Sequence, residues 1–214
     1  MRTVHQGDGL AWLKANPLPA GAAIVTSLPD ASELPALGFE GWRRWFIETS
    51  ALLCRAVEPN AAALFFQTDV KRDGVWVDKG YLVQRGAEDA GLAQVFHKVV
   101  CRAPAGTATF GRPAYAHLLG FSKNVRPDPG KSTADVIPRL GEMPWSRAMG
   151  VEACEVACDW LLRHTPCRTV VDPFCGLGTV LAVAERKGMD AIGVELSAKR
   201  AEKARALTLR PSCP

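Results

Sequence analysis

The segment Val171-Asp172-Pro173-Phe174-Cys175-Gly176-Leu177-Gly178-Thr179 constrains the fold of this chain more than any other stretch. An apolar run precedes it and an amphipathic helical pattern follows it, so it reads as strand, glycine turn and helix start in succession. Glycines let the backbone turn sharply and approach a ligand closely. The first helical turn leaves N–H groups without intrahelical partners. A second apolar strand, Ala191-Ile192-Gly193-Val194, ends in Glu195. That is roughly twenty residues beyond Asp172, the place where an acid can accept both hydroxyls of a ribose. A glycine loop alone would say little. Strand, loop, helix, strand and acid in this order specify a nucleotide-type site at the edge of a parallel sheet.

The rest of the chain fits such a sheet. Short apolar runs alternate with longer helical patterns, which predicts βαβ units. Strands are expected at Arg2–Gln6, Ala22–Thr26, 61–67, 95–102, 117–122, Thr169–Asp172 and 191–195. Helices are expected at 10–15, 41–57, 79–90, 151–163 and 178–187, and a last one after Ser197 as N-cap. The strands at 95–102 and 117–122 read as an antiparallel pair at one edge. Residues 103–113 and 124–143 are rich in Gly, Pro, Ser and Thr and read as loops, the second resembling a connection between two halves. The predicted fold is a single doubly wound, mainly parallel α/β domain over residues 1–214. Residues 1–123 and 145–214 form its halves, joined by the loop 124–144.

Composition narrows the function classes. With 214 residues, 48% of them hydrophobic, the chain can bury one substantial core and has little room for a separate recognition domain. The formal net charge of +4 permits a polyanionic partner without demanding one. Lys199, Arg200, Lys203, Arg205 and Arg210 crowd near the end, but Glu202 interrupts them, so they read as a solvated helix face. Seven scattered cysteines lack metal-ligand spacing and read as free thiols of a reducing cytoplasm, with no metal expected. No apolar run is long enough to span a membrane.

At its glycine loop, Asp172-Pro173-Phe174-Cys175-Gly176-Leu177-Gly178-Thr179, the chain resembles the amino-methyltransferases, enzymes that methylate N4 of cytosine or N6 of adenine. The resemblance extends over most of the chain in the permuted β order, catalytic half first. Val4-His5-Gln6-Gly7-Asp8 matches the family's third cofactor strand. Thr26-Ser27-Leu28-Pro29-Asp30 lies where the family carries its Asp/Asn/Ser-Pro-Pro-aromatic tetrapeptide. Trp145-Ser146-Arg147 precedes the glycine loop where the family binds the methionine end of the cofactor. The permutation also explains why the chain ends soon after Glu195: the strand at Arg2–Gln6 supplies the missing neighbour.

The resemblance implies S-adenosyl-L-methionine as cofactor, held by Asp8, Thr26, Ser146, Asp172, Pro173, Phe174, Gly176, Gly178, Thr179 and Glu195. It implies Ser27, Pro29 and Asp30 as catalytic residues. The tetrapeptide departs from the family pattern, with Leu28 for the first proline and Asp30 for the aromatic. Asp30 could serve as general base, bind an amine-bearing substrate, or cap a turn. Lys98, Arg102 and Arg112, beside Phe110 and Tyr115, offer cations and aromatics suited to phosphates and bases. A solvated strand edge would have the same composition.

The expected substrate is a base in nucleic acid. RNA such as tRNA is favoured over DNA, because the chain has only short loops for sequence-specific recognition. DNA cytosine-N4 or adenine-N6 methylation is the alternative. A protein or small-molecule methyltransferase and a non-catalytic cofactor-fold module are further readings. The expected state is a monomer or homodimer.

Overall fold

The computed structural model describes residues 1–209, so Arg210 of the basic run lies outside the described residues. The strands are β1 (Arg2–Gln6), β2 (Ala22–Thr26), β3 (Ala63–Gln67), β4 (Val70–Arg72), β5 (Val75–Val77), β6 (Ala93–Cys101), β7 (Tyr115–Ser122), β8 (Val136–Ile137), β9 (Thr169–Asp172) and β10 (Asp190–Glu195). The α-helices are α1 (Gly9–Ala15), α2 (Gly38–Ala56), α3 (Lys79–Asp89), α4 (Val151–His164), α5 (Thr179–Arg186) and α6 (Ala198–Ala206).

Eight strands form one sheet in the order β1-β10-β9-β2-β3-β7-β6-β8. The run from β1 to β3 is parallel throughout, and β7 is antiparallel to both β3 and β6. The expected doubly wound sheet with an antiparallel pair near one edge is therefore present. Residues from both halves interleave in it, because β9 pairs with β2 and β1 pairs with β10.

Two-residue alternation in the central strands builds two cores, as the strand pleat requires. In β2, Ala23 and Val25 join a cluster with α4, α5 and α6, while Ala22 and Ile24 join one with α1, α2 and α3. In β3, Leu64 and Phe66 face the first cluster, and Ala63 and Phe65 the second. Both faces of these strands are thus covered by helices, which is why they read as continuous apolar runs.

Two features depart from the sequence reading. Residues 70–77 form a two-stranded ribbon, β4 with β5, outside the main sheet. Asp73 (φ 51°) and Gly74 (φ 77°) turn it, the positive pair that a tight two-residue hairpin needs. Within the expected loop 124–143, Val136 and Ile137 form β8, pairing with Val99 and Val100 of β6 and extending the sheet by one edge strand. Among the described residues no helix is long and apolar enough to cross a membrane.

Candidate functional site

The parallel strands end together at one edge of the sheet, and a cleft of about 260 Å³ opens there. Gly7 and Asp8 after β1, Ser27, Leu28 and Pro29 after β2, the loop 172–177 after β9 and Glu195 at the end of β10 all line it. This is where ligands bind in open α/β sheets.

The glycine loop is fixed from several sides. Gly176 has φ 55° and Gly178 φ 79°, conformations that side-chain-bearing residues rarely adopt, and Gly178 is the N-cap of α5. The Cys175 N–H donates to the Val194 carbonyl, and the Gly176 N–H to Glu195 Oε2 at 3.1 Å. Glu195 Oε1 accepts from the Ser197 N–H at 2.8 Å and from Arg200 Nε at 2.9 Å. The Arg200 guanidinium also lies over the Trp145 ring. Asp8 caps α1 by accepting from the Ala11 N–H at 2.7 Å.

Asp172 is buried beneath the cleft. Its Oδ1 accepts from Thr26 Oγ1 at 2.6 Å and from the Phe174 N–H at 3.1 Å. Burial pushes its carboxyl up to about 7, against the pull of those two hydrogen bonds. A carboxylate so placed gains most from a cationic ligand group.

Of the expected cofactor residues, Asp8, Asp172, Pro173, Phe174, Gly176, Thr179 and Glu195 line the cleft. Three stand elsewhere. Thr26 is fully buried behind Asp172 and orients it. Gly178 packs against Ala204 of α6, where a Cβ would crowd that helix. Ser146 is outside the lining, although its neighbours Trp145, Arg147, Ala148 and Met149 are part of it. The Trp145–Arg147 segment expected at the cofactor does reach the lining through Trp145 and Arg147, whereas Trp45, Glu33 and Arg200 are wall residues that the sequence reading missed. Arg147 pairs with Glu33 at 3.0 Å, joining the segment before α4 to the turn after the Ser27–Asp30 segment. Only Arg200 carried a readable signal, a cation in the first turn of the helix that follows Glu195.

The Ser27–Asp30 segment leaves β2 at the cleft, with Ser27 and Pro29 in the lining and Asp30 outside it. The Pro29 carbonyl, expected to face a substrate, accepts from Trp42 Nε1 at 3.1 Å, since that fully buried indole must find an acceptor. Asp30 starts the short helical turn Ala31–Glu33 and binds two cations, the Lys79 ammonium and, at 3.3 Å, Arg112. It is engaged as an anchor and turn cap.

Behind Asp30 lies a polar cluster at the end of β3. Asp69 is buried and accepts from the Lys79 N–H (2.9 Å), His117 Nε2 (3.0 Å), Tyr115 Oη (3.2 Å) and Trp76 Nε1 (3.3 Å). Burial raises its carboxyl, but these donors, His117 first, outweigh that and hold it below the usual range. For His117, burial lowers the imidazole and the bond and charge of Asp69 more than reverse it. Asp69, Asp78 and His117 could approach one cation, although Asp69 already has four donors.

The structure gathers three of the five expected substrate residues here: Arg102 donates to Thr68 Oγ1 at 3.0 Å, Arg112 meets Asp30, and Tyr115 meets Asp69. Lys98 stands apart. It is buried on β6, and its ammonium donates to Asp135 and to the Thr133 carbonyl. Phe110 projects from the β6–β7 loop, 96% exposed.

Strand order and the permuted connection are those of the doubly wound class I methyltransferase fold. In particular, a candidate DNA modification methylase from Thermus thermophilus, TTHA0409, superposes with a TM-score of 0.75 at 19% identity, covering 96% of this chain and 94% of that one. The same protein complexed with S-adenosyl-L-methionine gives 0.71 at 20% identity, covering 96% and 93%. The cytosine-N4-specific PvuII DNA methyltransferase gives 0.75 at 15% identity, covering 100% of this chain and 88% of that one. No protein-family model and no curated protein matches the chain.

Proposed function

We propose that this chain is an S-adenosyl-L-methionine-dependent methyltransferase acting on an exocyclic amino group of a base in DNA. The observation that carries the reading is the convergence of Asp8, Asp172, the glycine loop and Glu195 on one cleft, with Ser27 at its rim. In this reading Glu195 takes the ribose hydroxyls, Asp8 the adenine amino group, and Asp172 the ammonium of the methionine end. Residues 1–123 and 145–214 act as one catalytic domain.

Ser27 Oγ and the peptide carbonyl at Leu28 accept the two hydrogens of the target amine, because the Pro29 carbonyl already serves Trp42. Two acceptors draw density onto the nitrogen and align it with the methyl group, the positioning contribution to catalysis. Asp30 holds Lys79 and Arg112 in place beside the reacting amine. Phe110 supplies the stacking surface that the tetrapeptide lacks, and Arg102 and Arg112 face the phosphates flanking an extruded base.

The sequence favoured RNA. The DNA methylases among the structural neighbours support DNA instead, and RNA becomes an arm of the test. Purified protein with isotopically labelled cofactor is offered genomic DNA lacking modified bases and, separately, total RNA. Digestion and nucleoside mass spectrometry should find N4-methylcytosine or N6-methyladenine in the DNA. Label in RNA alone, or in neither polymer, overturns the proposal.

A further inference from the structure

We propose, resting on the base-methylation reading, that the β4–β5 hairpin docks duplex DNA beside the base to be methylated. The hairpin stands outside the main sheet as a twisted two-stranded ribbon. A two-stranded ribbon fits the major groove of B-form DNA, whereas the deep, narrow groove of A-form RNA excludes it.

Its side chains have the chemistry of a nucleic-acid contact. Lys71 lies over the Trp76 ring and Arg72 over the Phe39 ring, each 4.5 Å from the centroid. The aromatic faces hold the ammonium and the guanidinium themselves in place on the ribbon. Val75 is 66% exposed and Trp76 43%, an unusual display for residues of this size. Arg72 has an acidic neighbour in Asp73 at 3.6 Å, but that carboxylate is 91% exposed. Such pairs are worth little, so the cation can exchange to a phosphate.

The hairpin is also placed for the task. Its root is Asp69, which accepts from Trp76 and from the Lys79 N–H, and the Lys79 ammonium pairs with Asp30 of the catalytic segment. The ribbon and the catalytic segment are thus one bonded unit at the same edge of the sheet. The long segment before α4 gives no comparable element: its single short strand, β8, is spent on the edge of the main sheet.

The test measures binding of a labelled 25-base-pair DNA duplex and of the matching RNA duplex over a range of salt. The parent protein and the double variant Lys71→Ala/Arg72→Ala are compared, with Lys71→Arg/Arg72→Lys as the charge-retaining control. Cofactor affinity by calorimetry reports that each variant is folded. Removing two phosphate contacts should weaken DNA binding by at least about tenfold near 0.1 M salt and lower the slope of log affinity against log salt by about two. The charge-retaining variant should keep the parental slope. A double variant with parental affinity and slope overturns the hairpin proposal and leaves the methylation reading standing. RNA bound as tightly as DNA overturns it too. A parent that binds neither duplex and transfers no methyl group overturns both.

Discussion

Asp172 carries a pH dependence that follows from its burial. Its carboxyl lies near 7 in the folded protein and at the ordinary value of 3.8 when solvated. The folded state therefore holds the proton more tightly, and the stability this gives is complete below the unfolded value and lost as pH rises through about 7. A cationic ligand group reverses the preference. Affinity for S-adenosyl-L-methionine should rise as pH passes through about 7 and the carboxylate is released for pairing, and fall again as the ligand's own ammonium deprotonates at about pH 8. Calorimetry across that range checks this, with Asp172→Asn expected to abolish the rise. Lys79 supplies a second test. Its side chain is 4% exposed and its principal charged partner, Asp30, is 19% exposed. Asp30→Ala should destabilise the fold by about 3–5 kcal/mol, since a buried ammonium left alone costs more than the pair contributes. Urea denaturation of Asp30→Ala against the double variant Asp30→Ala/Lys79→Met should show much of the loss recovered. At this scale the sequence announced Asp172 and Glu195 through the strand endings that position them. It was silent on Lys79, because only tertiary packing brings α3, and with it that ammonium, to Asp30.

The elements were legible where local signals and tertiary packing agree. Helix α3 starts at Lys79 because the Asp78 side chain accepts from the Tyr81 N–H, and α5 follows a left-handed Gly178. The β4–β5 hairpin had its signal in plain view: Asp73-Gly74 between Val70-Lys71-Arg72 and Val75-Trp76-Val77 is strong hairpin chemistry. Its flanking strands of three residues each are too short to show the alternation that marks a strand, so no element is readable there. Strand β8 had no local signal, because two residues in a proline-rich stretch become a strand only by lying against β6. At the cleft, the start of α1 packs closely on the glycine loop. A Cβ on Gly9 would overlap the Pro173 carbonyl oxygen. Gly9→Ala should cost about 1–3 kcal/mol in stability, as overpacking does. It should also weaken cofactor binding, whereas Gly188→Ala, with open space at its Cβ but φ 75°, should affect stability alone. Thermal unfolding with and without cofactor separates the two effects.

For the molecule as a whole, residues drawn from both halves line one cleft. In the proposed function the loop 172–177, Glu195 and Asp8 form the cofactor wall, and Ser27, Arg112 and the β6–β7 loop serve the substrate. Phe110, exposed on that loop, is expected to act only once a base has left its stack. Phe110→Ala should lower kcat/KM for DNA by the stacking it removes, about 1–3 kcal/mol, and leave cofactor affinity unchanged. Steady-state methyl transfer with calorimetry on the same samples decides it. The permuted order itself was readable from the sequence, since Arg2–Gln6 had no other place in a sheet that needed one more strand after Glu195.

That permutation sets a schedule for synthesis. Strand β1 has a single neighbour, β10, and their register runs from Arg2 with Ala191 to Gln6 with Glu195. Strand β1 must therefore wait, unpaired, until β10 has been made. Until β9 and β10 emerge, β2 also has one open edge, because its second partner is β9. Until both are made, β1 lacks its β10 edge and β2 its β9 edge, the situation in which chains pair wrongly with one another. A ribosome stalled after residue 144 should display a chain that recruits holdase chaperones, and release of residues 145–195 should close both edges in one step and complete the cleft with them.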